Sequence, residues 1–259
     1  MSVQLDKMVL IVTGAASGIG RAITARASDQ GVKQFVLVDI DEVGLDATAD
    51  GLDGSADAEI VRADLSLAAA SAEIAERAIS RFGRIDGLVN AAGITTRASF
   101  INGSAETFDQ VFAVNARAPY LLMQEAITNM LLRKQSGAIV NIQTINAHCG
   151  HPDLAIYAAS KGALQTLTKN AANAHVGDGI RVNGINLGWT WTEAEHRMQS
   201  EILGEGEDWS KRVGENLPLK RLLEPEEAAR RAVYLLGPES APLTGACIDL
   251  EQWIVGAPP

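Results

Sequence analysis

Cysteine is scarce: the 259 residues contain two, Cys149 and Cys247. Two thiols do not make a disulfide framework and fit a reducing compartment better than an oxidising one. Long apolar runs are missing too, with none near the ~18 residues that span a bilayer, so no membrane partner is expected. Positive charge is in short supply, because 22 Lys and Arg against 32 Asp and Glu leave a net charge of −10. A nucleic-acid partner is thereby excluded, since gripping phosphates needs a basic face. The start, Met1 to Lys7, has neither a basic n-region nor a small-residue cleavage site, and the expected location is cytoplasmic. What is there is ordinary for a globular chain, 47% hydrophobic and 21% charged residues, enough to bury one large core or two small ones.

Val9-Leu10-Ile11-Val12 is a short apolar run, as a strand buried on both faces should be. It enters Thr13-Gly14-Ala15-Ala16-Ser17-Gly18-Ile19-Gly20 and then a helix from Arg21 to about Gln30. Strand, glycine-rich turn and helix N-terminus form a place for a pyrophosphate, because backbone N–H groups point at the anion and glycine permits close approach. The second strand, Gln34–Val38, ends on Asp39, placed to accept hydrogen bonds from the ribose hydroxyls of an adenosine. Val38 and Ile40 are not basic, and Asp41 and Glu42 add negative charge. A 2′-phosphate would meet repulsion there, which favours NAD over NADP.

The alternation continues with a helix over roughly 43–52, a strand near 59–63 ending on Asp64-Leu65, and a helix over about 67–82. The strand Gly87-Leu88-Val89 then stops at Asn90-Ala91-Ala92-Gly93, a small-residue turn. Such spacing predicts right-handed βαβ units and a parallel sheet. A βα-barrel also alternates, but it would not require glycines after the first strand and an acid after the second. A long helix is expected over 107–133 with Asn115 in its middle, then a strand at 138–142 ending at Gln143-Thr144. After a loop containing Asn146, His148 and His151 comes a helix with Tyr157 and Lys161, then a strand over 180–186. The acidic stretch from Thr192 to Val213, flanked by Trp191 and Trp209, reads as an inserted lid of short helices. A helix opened by Pro225 and a last strand at 245–250 finish a single α/β domain.

Tyr157 and Lys161 lie four apart, on one helix face. A phenol titrates near ~10, and a fixed ammonium beside it would lower that value toward neutral pH, giving an acid–base unit. His148 and His151 are three apart, but no carboxylate or thiol set completes a metal site except Cys149, whose side chain would diverge from theirs. No metal is expected.

With Thr13–Gly20, Asp39, Asp64, Asn90–Gly93, Asn115 and Tyr157–Lys161 in order, the chain resembles the short-chain dehydrogenase/reductase family over about residues 7–249. The resemblance implies a Rossmann-type, doubly wound sheet of seven parallel strands, and a homo-tetramer. It implies that Tyr157 exchanges a proton with the substrate oxygen and that Lys161 holds the nicotinamide ribose and depresses the tyrosine pKa. Asn115 would anchor a water that relays protons to Lys161. Gly14, Ser17, Gly18, Ile19 and Gly20 would surround the pyrophosphate, and Asp64 and Leu65 would approach the adenine. Asn90, Ala91 and Gly93 would line the cleft, and Thr192 would meet the nicotinamide carboxamide.

Three positions depart from the family pattern. The catalytic serine is replaced by Thr144, which keeps the hydroxyl but narrows the site; Leu187-Gly188 stands for Pro-Gly; Leu250–Trp253 stands for a C-terminal glycine pair. The expected activity is an NAD-dependent dehydrogenase acting on a secondary alcohol of a small polar substrate, a sugar, polyol or sugar acid. Gln143, Asn146, His148, His151, Trp189 and Trp191 are the expected substrate contacts, with the two tryptophans either stacking on a sugar or packing the lid. Glu193 and Glu195 read as a solvated helix start. The rival activities are a 3-oxoacyl-thioester reductase and a non-catalytic NAD-binding protein on the same fold.

Overall fold

All five residues of β1 (Val9–Thr13) are buried, because helices cover both faces of the strand. β1 pairs in parallel with β2 (Gln34–Asp39) on one side and with β4 (Gly87–Asn90) on the other. With β3 (Asp57–Arg62), β5 (Gly137–Thr144), β6 (Ile180–Leu187) and β7 (Cys247–Leu250), the seven strands run in the order β3-β2-β1-β4-β5-β6-β7. In this computed structural model the described residues are 4–148 and 150–254, so Cys149 lies outside them. Two apolar layers flank the sheet. One lies under α1 (Gly18–Asp29), α2 (Glu42–Asp50) and α9 (Pro225–Leu236), and contains Ile23, Leu45, Ala229 and Leu236. The other lies under α3 (Ala70–Phe82), α5 (Ala118–Arg133) and α6 (Ala155–His175), and contains Ile74, Leu122, Met130 and Leu164.

Local chemistry sets the helix ends. Asp41 accepts from Gly44 N at the start of α2, and Ser104 accepts from Thr107 N at the start of α4 (Ala105–Phe112). Gly83, at φ 77°, ends α3 in the left-handed region. The helix expected over 107–133 forms as α4 and α5 joined by a π turn, Ala113–Arg117, with Asn115 inside it. Such wide turns collect at functional sites. The sheet order reverses between β1 and β4, and a crevice at the carboxyl ends of strands at such a switch point is where an open α/β sheet takes its ligand.

Candidate active site

The crevice is built from four strand ends. Gly14 follows β1 at φ 69°, a conformation that favours glycine. A Cβ on Gly20 would run into the Gly14 carbonyl, so the first turn of α1 packs directly on the loop it follows. The first-turn amides of α1, from Ser17 to Gly20, have no helical acceptors and face outward as an anion site. Thr13 Oγ1 accepts from Ala91 N and Ala92 N, both at 3.2 Å, and locks the end of β1 to the end of β4. At the end of β2, Asp39 Oδ2 accepts from Ala16 N (3.1 Å) and Oδ1 from Ile40 N (2.7 Å). This carboxylate therefore braces the glycine turn and brings a negative charge to the ribose end of the crevice. Asp64, exposed just beyond β3, has its pKa lowered by the Ser66 hydroxyl and then by Ser66 N, which donates to it at 2.8 Å, and Leu65 beside it is buried. These residues fit a dinucleotide, with the pyrophosphate at α1 and the adenosine toward Asp39.

The reacting end lies between β5 and α6. Thr144, 5% exposed, ends β5, and its hydroxyl donates to Leu187 O (3.3 Å) and accepts from Asn146 N (3.3 Å). It also hydrogen-bonds the Tyr157 hydroxyl. Burial pushes the Tyr157 phenol up to about 12; the Thr144 bond works against this, and the negative charge of Glu195 adds to it. Lys161, 4% exposed, donates from Nζ to Ile142 O at 2.8 Å, and burial lowers its pKa to about 8. The expected ammonium-driven lowering of the phenol pKa is thus overturned. Burial dominates the shift, and the lysine proton is directed at a carbonyl. The Tyr157 phenol thus keeps its proton at neutral pH.

A family model described as enoyl-(acyl carrier protein) reductase matches residues 14–251. A 2-(S)-hydroxypropyl-CoM dehydrogenase of Xanthobacter autotrophicus is 33% identical, over 97% of this chain and 98% of that protein. The chain is a short-chain dehydrogenase/reductase. The solved 3-ketoacyl-(acyl-carrier-protein) reductase of Brucella melitensis, in complex with NADH, is 30% identical with a TM-score of 0.83, over 95% of this chain and 97% of that one. An actinorhodin polyketide ketoreductase variant with NADPH is 27% identical with a TM-score of 0.88, over 97% and 98%. The protein is an oxidoreductase of the short-chain type, on a fold that binds a nicotinamide dinucleotide.

Several residues expected in this short-chain dehydrogenase/reductase site do other work. Gln143 is not at the substrate cleft. Successive strand residues face opposite ways, so with Thr144 at the site Gln143 is 2% exposed and donates to Thr168 Oγ1 at 2.8 Å. Asn90 is likewise buried and donates to Asn141 Oδ1 at 2.8 Å, below the cleft rather than along it. The Asn115 amide donates to Ile94 O (2.9 Å) and Ser160 Oγ (3.1 Å) and accepts from Ile94 N (2.9 Å). It ties the loop after β4 to α6, which leaves the side chain little capacity to anchor a water. Gly93 lies against this pair; a Cβ there would sit 3.2 Å from Lys161 Nζ and 3.3 Å from Asn115 Oδ1.

His148 Nε2 contacts Asp249 Oδ1 at 2.9 Å and pins its loop to β7, whereas exposed His151 accepts from Asp153 N within its own loop. Asn146 stays at the site, its Nδ2 3.4 Å from Thr144 Oγ1. Among the described residues no group of three or more metal-ligating side chains comes together, and no helix is long and apolar enough to cross a membrane.

The segment after β6 forms α7 (Glu193–Arg197), a π turn (Met198–Ile202) and α8 (Trp209–Gly214). Its base is clamped where Leu223 N donates to Trp189 O and Trp191 N to Leu223 O. Trp209, 1% exposed, anchors it, with Nε1 donating to His196 Nδ1 at 3.0 Å. The Trp189 ring lies 5.8 Å from Trp209 and the Trp191 ring 6.2 Å from His196, so both pack the segment, the second of their two readings. Thr192 Oγ1 caps α7 by accepting from Glu195 N, and its methyl lies within 3.2 Å of where a Gly18 Cβ would be. Thr192 thus meets the glycine turn at the start of α1.

Sequence reasoning missed two residues here. Glu195 is not solvated: it accepts from Trp189 Nε1 (3.0 Å) and Gln199 Nε2 (2.8 Å) and acts on Tyr157. Arg97 reaches it from the loop after β4. The N-cap Thr192 was a usable signal for Glu195, because a capped first turn is held in place; nothing local marked Arg97.

Proposed function

We propose that the protein transfers a hydride between NAD and the secondary alcohol or ketone carbon of a small polar substrate of the sugar, polyol or sugar-acid class. The observation that carries the reading is the meeting of Thr144, at the carboxyl end of β5, with Tyr157 and Lys161 of α6, the Thr144 hydroxyl acting on the Tyr157 phenol. The cofactor supplies the hydride acceptor or donor; the protein holds and moves the proton. Tyr157 gives its proton to the substrate oxygen in reduction and takes it back in oxidation. Thr144 steadies that oxygen, Lys161 holds the nicotinamide ribose, and Asn115 positions the loop carrying Gly93 against Lys161. Gly14, Ser17, Gly18, Ile19 and Gly20 hold the pyrophosphate, Asp64 and Leu65 flank the adenine, Ala91 lines the cleft, and Thr192 contacts the carboxamide.

Asp39 supports NAD over NADP, since its carboxylate would repel a 2′-phosphate. At least about tenfold in kcat/KM is expected, which takes ~1.4 kcal/mol. A homo-tetramer is supported by the exposed apolar side chains on α4 and α5, among them Phe108, Tyr120 and Leu132. The segment 192–213 serves as the lid. A 3-oxoacyl-thioester reductase is the second reading, favoured by a relative of that kind in complex with NADH. The test is purified protein with NAD or NADP against sugars, polyols, hydroxy acids and hydroxyacyl thioesters, followed by reduced-nicotinamide absorbance. Comparable efficiency with both cofactors overturns the role of Asp39, and turnover confined to thioesters establishes the second reading.

A further inference from the structure

Arg97 is a partly buried cation without a hydrogen bond among the described residues. Its side chain is 29% exposed, its Nε is buried and has no partner, and its nearest carboxylate oxygen, Glu195 Oε1, lies 4.0 Å from Nη2. A guanidinium has five donors in a planar fork, and leaving them unmet while covered is costly. The side chain is held from a fixed base. Its neighbour Ala98 donates to Asp153 O (2.8 Å) and accepts from Ala155 N (3.0 Å), which fastens the loop to the first turn of α6, the helix of Tyr157.

Glu195 is no adequate partner, since the oxygen nearest Arg97 already accepts from Trp189 Nε1 and Gln199 Nε2. Glu195 also acts through its charge on the Tyr157 phenol, which puts the Arg97–Glu195 pair, where the β4 loop meets the lid, near the reacting end. Lys161, the other cation of the site, is directed at the Ile142 carbonyl. The free fork belongs to Arg97.

We propose that Arg97 determines specificity by receiving a carboxylate group of the substrate, which makes the substrate a hydroxy or oxo acid rather than a neutral sugar or polyol. This rests on the dehydrogenase reading above. The planar fork matches a carboxylate through two parallel N–H···O bonds, which a hydroxyl cannot reproduce.

Butyrate and butyramide share a shape and differ in charge, and their binding to the enzyme–NADH complex, read by NADH fluorescence, requires no turnover. Wild type is expected to bind butyrate at least about tenfold more tightly than butyramide, and Arg97→Gln to lose that preference at unchanged NADH affinity. Arg97→Lys should recover part of it as a point charge. Glu195→Gln discriminates a receptor from a mere lid latch. The amide still accepts from Trp189 and Gln199, but its negative charge is gone, so butyrate should bind as well or better. Equal affinity of wild type for the two probes overturns the proposal. So does a Glu195→Gln protein that loses the preference as Arg97→Gln does, because Arg97 would then serve only to close the lid. Failure of wild type to bind NADH at all overturns the dehydrogenase reading itself, and the proposal with it.

Discussion

Thr144→Val separates chemistry from packing at the reacting end. Valine has nearly the shape of threonine, and the position is 5% exposed, so the core around it should keep its volume. What goes is a hydroxyl with three protein contacts besides Tyr157, at 3.3 Å to Leu187 O, 3.3 Å to Asn146 N and 3.4 Å to Asn146 Nδ2. All are long, so the stability loss should stay near 1–2 kcal/mol, a few degrees of melting temperature in a chain this size. The same length matters for catalysis, because the single hydroxyl proton can leave Leu187 O for a substrate oxygen at little cost. If it does, kcat should fall about 10²–10³-fold, or ~2.7–4 kcal/mol, as when a donor to a developing oxyanion is removed. Thr144→Ser should keep most activity. The assay is steady-state NAD reduction on whichever substrate the screen returns, beside a melting curve, with Tyr157→Phe as the inactive reference. A Thr144→Val enzyme within a few-fold of wild type would make Thr144 a packing residue. Asn146 Nδ2 would then be the donor to test, since Gln143 is turned away toward Thr168.

Asp39→Ser should improve kcat/KM with NADP and erode that with NAD. Removing one charge from the neighbourhood of a dianionic 2′-phosphate relieves on the order of 1–2 kcal/mol, and an unchanged cofactor ratio would contradict the assignment. Burial lowers the Lys161 pKa from 10.5 to about 8. The unfolded chain then binds more protons between those values, and the stability of the protein rises with pH across that window. Lys161→Met removes this dependence, so urea unfolding at pH 7.5 and pH 10 should show wild type gaining about 2 kcal/mol relative to the variant; parallel curves would refute the buried ammonium. Hydrogen exchange in 192–213 should slow when NAD and substrate bind, while β1, β4 and β5 barely change. Equal protection with and without ligands would make the segment a rigid insertion.

The sequence by itself determined the order and type of nearly every element, because periodicity, apolar runs and caps act within a few residues. β1, β2, β4, β5 and β6 are short apolar runs, Asp41 and Pro225 mark helix starts, and the Gly14-to-Gly20 spacing marks the anion turn. Tyr157 and Lys161 could be placed on one helix face for the same reason. Alternation along β5 also held the information that Gln143 and Thr144 cannot both face the cleft. Tertiary structure decided the rest. The proton affinity of Tyr157 depends on its burial and on Glu195, 38 positions later in the chain, not on the lysine one turn away. The Asn115 amide is claimed by Ile94 and Ser160, and Arg97 meets Glu195 only because the β4 loop and the lid converge above α6. Local pattern fixes which way a side chain leaves its own helix or strand. Which charge it meets, and how much water remains there, is set by segments distant in sequence that close over the same strand ends.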